Sequence, residues 1–148
     1  MNTAIMETDG TEGIGVRELL IYRVLFITGA LWNLVGSLMG YFDTAATYQS
    51  FFGRALEDPL QLAIYRGSWG TALLYFFGYL IVAYNPVRHT GIVVLGTLGK
   101  LFFVWTLMSL LSAGLANPLV LVVVVGDGIF AGLFLIYLGR MITLRKEL

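Results

Sequence analysis

Asp127 stands in the middle of the apolar run Leu119 to Leu138, and Lys100 is equally isolated inside Ile92 to Leu111. A carboxylate or an ammonium at bilayer depth is costly unless something nearby compensates it, so each of these residues calls for a partner and each is suited to be the other's. Two more apolar runs are interrupted in the same way, the first by Asn33 and the second by Arg66. One polar group per run points to a buried polar cluster. Its bland reading is a Lys100 to Asp127 pair that only fixes the register of two hydrophobic helices. A buried ion pair adds little stability over an apolar pair of similar size, however, which tilts the balance towards use. The uses open to it are proton transfer, with Asp127 as carrier and candidate general acid or base, and binding of the polar end of a hydrophobic ligand.

Arg66 opens the segment Arg66-Gly67-Ser68-Trp69-Gly70, with the guanidinium one turn before a tryptophan and within stacking reach of it. It reads either as an arginine snorkelling to headgroups or as an anion contact at the mouth of a cavity. Trp32, Trp69 and Trp105 fall at similar depths, about 20 to 22 Å from one end of their helices, deeper than an interfacial belt. They read as packing or lipid-facing residues, or as the walls of an aromatic pocket beside Asn33. The candidate ligand-binding set is therefore Asn33, Arg66, Trp69, Lys100 and Asp127. Metal and cofactor chemistry find no support. The chain has no cysteine and a single histidine, His89, in the polar turn Arg88-His89-Thr90, and it has no phosphate-binding glycine loop.

The elements that must position these groups follow from composition. With 58% hydrophobic and 12% charged residues and a mean hydropathy of +0.84, the chain falls in the membrane class. Four stretches, roughly Leu19 to Phe42, Leu62 to Tyr84, Gly91 to Ala113 and Pro118 to Gly139, are each long enough for a hydrocarbon core that needs about 20 helical residues. Short connections make neighbouring helices antiparallel, so the expected fold is an all-α, four-transmembrane-helix antiparallel bundle. Counted along helices, Lys100 lies roughly 13 Å in, Asp127 roughly 18 Å, Asn33 roughly 21 Å and Arg66 roughly 27 Å. A lysine stem spans the first of those gaps.

The first connection, Asp43 to Pro59, is the only long one. Tyr48, Phe51, Phe52, Ala55 and Leu56 recur there opposite Gln49, Ser50, Arg54 and Glu57, which predicts a short amphipathic helix capping one end of the bundle. Asn85-Pro86 and Asn117-Pro118 mark the turns before the third and fourth long helices. Small residues predict the packing faces: Gly29, Gly36 and Gly40 beside Asn33 on the first helix, Ala63, Gly67 and Gly70 on the second, Gly96 and Gly99 on the third, and Gly128, Gly132 and Gly139 with Leu135 on the fourth.

Residues 1–16, polar and acidic without the basic start of a secretory signal, read as a flexible cytoplasmic tail; residues 17–140 form the transmembrane domain, and residues 141–148 a second cytoplasmic tail. Arg17, Arg23, Arg88, Arg140, Arg145 and Lys146 fall on one side against Arg54 alone on the other, which predicts cytoplasmic termini. A formal net charge of zero and the lack of a basic run away from helix ends give nucleic-acid binding no electrostatic support.

Gly29-Ala30-Leu31-Trp32-Asn33 in the first helix, Arg66-Gly67-x-Trp69-Gly70 in the second, Gly99-Lys100 in the third and Gly126-Asp127 in the fourth resemble, across about residues 19 to 140, small bacterial four-helix membrane proteins of the DoxX-like kind. The resemblance implies a bacterial inner-membrane protein linked to redox or quinone processes. Those proteins carry an acidic residue in the second helix where this chain has only Arg66, so no functional residue is carried over.

Three functions stay open. The first is binding of a lipid, quinone or isoprenoid at the polar cluster. The second is service as an accessory subunit of a larger membrane complex, with glycine-lined faces also suited to a homodimer. The third is acid/base enzymology on a membrane-embedded substrate, such as isomerisation or cyclisation, which requires proton transfer and no metal.

Overall fold

A computed structural model describes residues 14–147, so the expected tail over residues 1–16 falls almost wholly outside it. Four long helices, α1 (Val16–Phe42), α3 (Pro59–Tyr84), α4 (Thr90–Ser112) and α5 (Val120–Glu147), are joined by short connections, with a nine-residue helix α2 (Thr44–Phe52) between the first two. No strand occurs among the described residues. All four long helices have the length and apolar content to cross a membrane, and their outer faces carry large exposed apolar side chains such as Phe102, Trp105 and Ile136. The chain is an integral membrane protein built as a four-helix bundle.

The local signals that start and stop these helices are physical ones. Asp58 caps α3, its Oδ1 accepting from the backbone N–H groups of Leu60 (2.7 Å) and Gln61 (3.1 Å), and Pro59 takes the first helical position, where a missing N–H costs nothing. α2 stops earlier than the sequence suggests. Gly53 adopts a left-handed conformation (φ 69°) and donates its N–H to the Gln49 carbonyl, so Ala55 and Leu56 lie beyond the helix and its inner face is Thr44, Thr47, Tyr48 and Phe51. α5 runs further than expected: Met141 and Leu144 are buried and continue the stripe of Ala131, Phe134 and Tyr137 at helical spacing, so residues 141–147 prolong the bundle helix.

α1 packs along α3 and α4 along α5, while α3 and α4 meet over a smaller area. Two helix pairs thus face each other. At the end holding the termini they are joined by an aromatic cluster: Tyr137 meets Tyr22 and Phe26 edge-on (centroids 5.0 and 4.9 Å), and Phe134 stacks between Phe26 and Tyr79 (5.2 and 5.1 Å). Tyr137 also donates to the Pro86 carbonyl, and Arg140 pairs with Glu18 at 2.9 Å. At the opposite end Asn117, between α4 and α5, donates its backbone N–H to the Phe51 carbonyl (2.7 Å) and its side-chain amide to the Ser50 carbonyl (3.0 Å). This fastens α2 across the bundle.

Glycines are used for close approach of flat rings. A Cβ on Gly40 would lie 1.9 Å from the Trp69 ring, one on Gly126 2.1 Å from Trp32, and one on Gly96 2.4 Å from the Tyr79 hydroxyl. The stripe expected on the last helix behaves otherwise. Gly128, Gly132 and Gly139 have nothing within 4 Å of a built Cβ among the described residues and Leu135 is 52% exposed, because α5 turns its Ala131 and Phe134 face inwards instead. Gly67 is open too, whereas Gly70 sits beside Tyr41. Gly40→Ala is therefore expected to displace Trp69 and destabilise the fold by about 1–3 kcal/mol, whereas Gly132→Ala should stay within about 0.5 kcal/mol of the parent; reversible unfolding in detergent measures both.

Candidate functional site

The polar residues of three long helices meet. Lys100 of α4 places its Nζ 2.5 Å from Asp127 Oδ1 of α5 and donates to Asn33 Oδ1 of α1 at 2.9 Å. Asn33 in turn donates its amide N–H to the Ala72 carbonyl of α3 at 3.1 Å. An ammonium offers only donors, so Asn33 must turn its oxygen to Lys100, and its NH2 is left for the carbonyl. Trp32, one residue earlier on α1, donates its indole N–H to Asp127 Oδ1 at 2.9 Å. Lys100 and Asp127 are only 5% and 7% exposed, and Nζ also lies 5.7 Å from the Phe130 ring centre and 6.0 Å from that of Tyr79, within cation–π range. All four long helices contribute an atom to one network.

Arg66 does not join it. Its Nε donates to Thr44 of α2 at 3.2 Å and its guanidinium lies 5.9 Å from the centre of the Tyr41 ring. The stack on Trp69 is absent, because Trp69 is drawn onto the flat surface at Gly40 and packs edge-on against Tyr65 and Phe103. Of the three tryptophans, Trp32 and Trp69 face inwards and Trp105 is 74% exposed on the lipid-facing side. His89 precedes α4 in the turn after α3, at the end of the bundle away from α2.

The network forms one end of a cavity of about 430 Å³ between the two helix pairs. Its walls are almost wholly apolar, with Trp32, Gly36, Trp69, Tyr75, Phe103 and Val123 among them, while Asn33, Lys100 and Asp127 provide a polar head. The aromatic cluster lies on the terminal side of that head, and Thr47 and Phe51 of α2 reach the cavity from the opposite end. Both hydrogen bonds to Asp127 end on Oδ1, so Oδ2 accepts none from the described residues, and two of the three donors of Lys100 are engaged. Tyr75 and Tyr79 also line the cavity. Trp32, Tyr75 and Tyr79 are absent from the set chosen from sequence. The spacing Trp69, Ala72, Tyr75 and Tyr79 along one face of α3 was the available signal for the tyrosines; Trp32 was read from sequence as packing or as a pocket wall beside Asn33, and its bond to Asp127 is what that reading lacked.

Comparison with known proteins returns no matching family model, no matching characterised protein and no matching solved structure. The chemistry is read from the site alone. It can hold a proton between an ammonium and a carboxylate, and it can present hydrogen-bonding groups to a molecule whose remainder is apolar. Among the described residues no three of His, Cys, Asp and Glu gather as a metal site requires.

Removing either charge leaves the other buried and unpaired, so Lys100→Met and Asp127→Asn are each expected to cost about 3 kcal/mol, with the double substitution costing less than the sum of the two. A double-mutant cycle of unfolding free energies in detergent checks this; strict additivity would show that the pair is not coupled.

Proposed function

We propose that this protein binds a small hydrophobic or amphipathic molecule of lipid, quinone or isoprenoid type inside the membrane, with the polar end of the molecule at Asn33, Lys100 and Asp127 and its apolar part along Trp69 and Tyr75. The observation that carries the reading is the position of the ion pair, at the head of an apolar cavity and not within a filled core. A pair that served only to hold helices in register would have no need of a cavity beside it, and the volume falls within the range of roughly 300–1,000 Å³ usual for small-molecule sites. Arg66, tied to Thr44 of α2, then lies outside the binding contacts. The distribution of lysine and arginine supports cytoplasmic termini, and the DoxX-like layout supports a bacterial inner membrane and a redox or quinone-linked setting.

A second reading, an accessory subunit of a larger membrane complex or a homodimer, is favoured by one observation: the small-residue stripe Gly128, Gly132 and Gly139 on α5 is exposed, which suits close packing against another helix.

Native mass spectrometry of the protein released from its own membranes tests both. The expected result is one reproducible small molecule on the parent chain, lost in Gly99→Leu, which fills the cavity from a glycine whose added Cβ would meet nothing closer than Tyr75 at 3.8 Å. Parent chain without a small molecule but bound to other polypeptides would favour the assembly reading.

A further inference from the structure

The cavity reading fixes where a ligand lies, and on that reading the charge balance of the head narrows what it is. We propose that the site selects amphiphiles whose polar end is an uncharged oxygen group, a hydroxyl or a carbonyl, and rejects phosphates, carboxylates and ammonium groups.

Lys100 and Asp127 are the only charged residues lining the cavity among the described residues, and at 2.5 Å they sum to zero. The other ionic groups nearby are engaged elsewhere: Arg66 on Thr44 and Tyr41, Glu18 and Arg140 with each other beyond the aromatic cluster. An anionic head would gain the attraction of Lys100 only by meeting the repulsion of Asp127 at almost the same distance, and an ammonium head meets the reverse. With apolar walls to screen neither, the desolvation of a charged head goes uncompensated.

The pair is also held against opening. Asn33 fixes Lys100 from α1, Trp32 fixes Asp127, and the Trp32 ring is seated on Gly126 with no room for a Cβ between them. What the head does offer is neutral hydrogen bonding: a third N–H on Lys100, Oδ2 of Asp127, and the hydroxyls of Tyr75 and Tyr79, neither bonded to a described residue. A ligand hydroxyl can donate to Oδ2 and accept from a donor, and a carbonyl can accept from two donors, without disturbing the balance of charge. The volume, about 430 Å³, accommodates a single chain or one ring system beside this head.

The test uses the full chain in a non-ionic detergent and four probes with the same decyl chain: decanol, 2-decanone, decyl phosphate and decyltrimethylammonium. Bound probe is counted by native mass spectrometry across a concentration series. Decanol and 2-decanone are expected to bind at least about ten-fold more tightly than either charged probe, and Gly99→Leu to abolish binding of both. Asp127→Asn should shift the preference to decyl phosphate, and Lys100→Met to decyltrimethylammonium; should either fail to fold, the ranking on the parent chain decides alone. A parent chain that prefers a charged probe, or ranks all four equally, overturns the proposal while loss of binding in Gly99→Leu keeps the cavity reading intact. Probes that bind Gly99→Leu as well as the parent, or bind neither, overturn the cavity reading and the proposal with it.

Discussion

Two opposite charges placed in the apolar interior of a four-helix bundle set the terms for everything around them. Neither Lys100 nor Asp127 is tolerable there alone, and even together they need their remaining hydrogen-bonding capacity met. The structure answers with two neighbours from α1 and one from α3: the Asn33 oxygen for the ammonium, the Trp32 indole for the carboxylate, and the Ala72 carbonyl for the amide of Asn33. Each is directional. A slide of α1 by one turn against the other three long helices would break all three, so the network acts as a register pin in an environment where hydrophobicity cannot order helices, since lipid is as apolar as their faces.

Around that pin the two ends of the bundle are closed by different means. The terminal end is packed solid with rings and finished by the Glu18 and Arg140 pair, while the other end is spanned by α2 and the backbone between α4 and α5. Between them the helix pairs stay apart by the width of the cavity. Two aromatic residues bridge the pairs, Trp32 on Gly126 and Tyr79 on Gly96, each seated where the opposing helix has a glycine, so that close contact and open space alternate along the same faces.

Hydropathy and spacing made the four long helices, the antiparallel order and the short α2 legible, because lipid imposes length and composition on each span. The meeting of Lys100, Asp127 and Asn33 was legible too, since a charge in such a span demands a partner and depth limits which one. Rotation was less so. The glycines of α5 suggested one packing face and the heavier stripe of Ala131, Phe134, Tyr137 and Met141 determined another, because filling the space between helix pairs outweighs the close approach that small residues permit. Arg66 and Trp69 share a face in sequence, yet each answers to a different neighbour, Thr44 for one and Gly40 for the other, and those neighbours lie on elements whose placement depends on the whole fold.

α2 ends with carbonyl groups that no later turn of its own helix can satisfy, and Asn117 supplies donors to two of them, Ser50 and Phe51, from a connection made more than sixty residues later. A nine-residue helix is well below the length, about 12–15 residues, at which helices hold their shape alone. As the chain is synthesised, the residues of α1, α2 and α3 are made before that donor exists. Until then α2 rests on α1 and α3 alone, through Thr47 on the Met39 carbonyl and Arg66 on Thr44, and the far end of the cavity gains its two closing hydrogen bonds only from the connection that leads into α5.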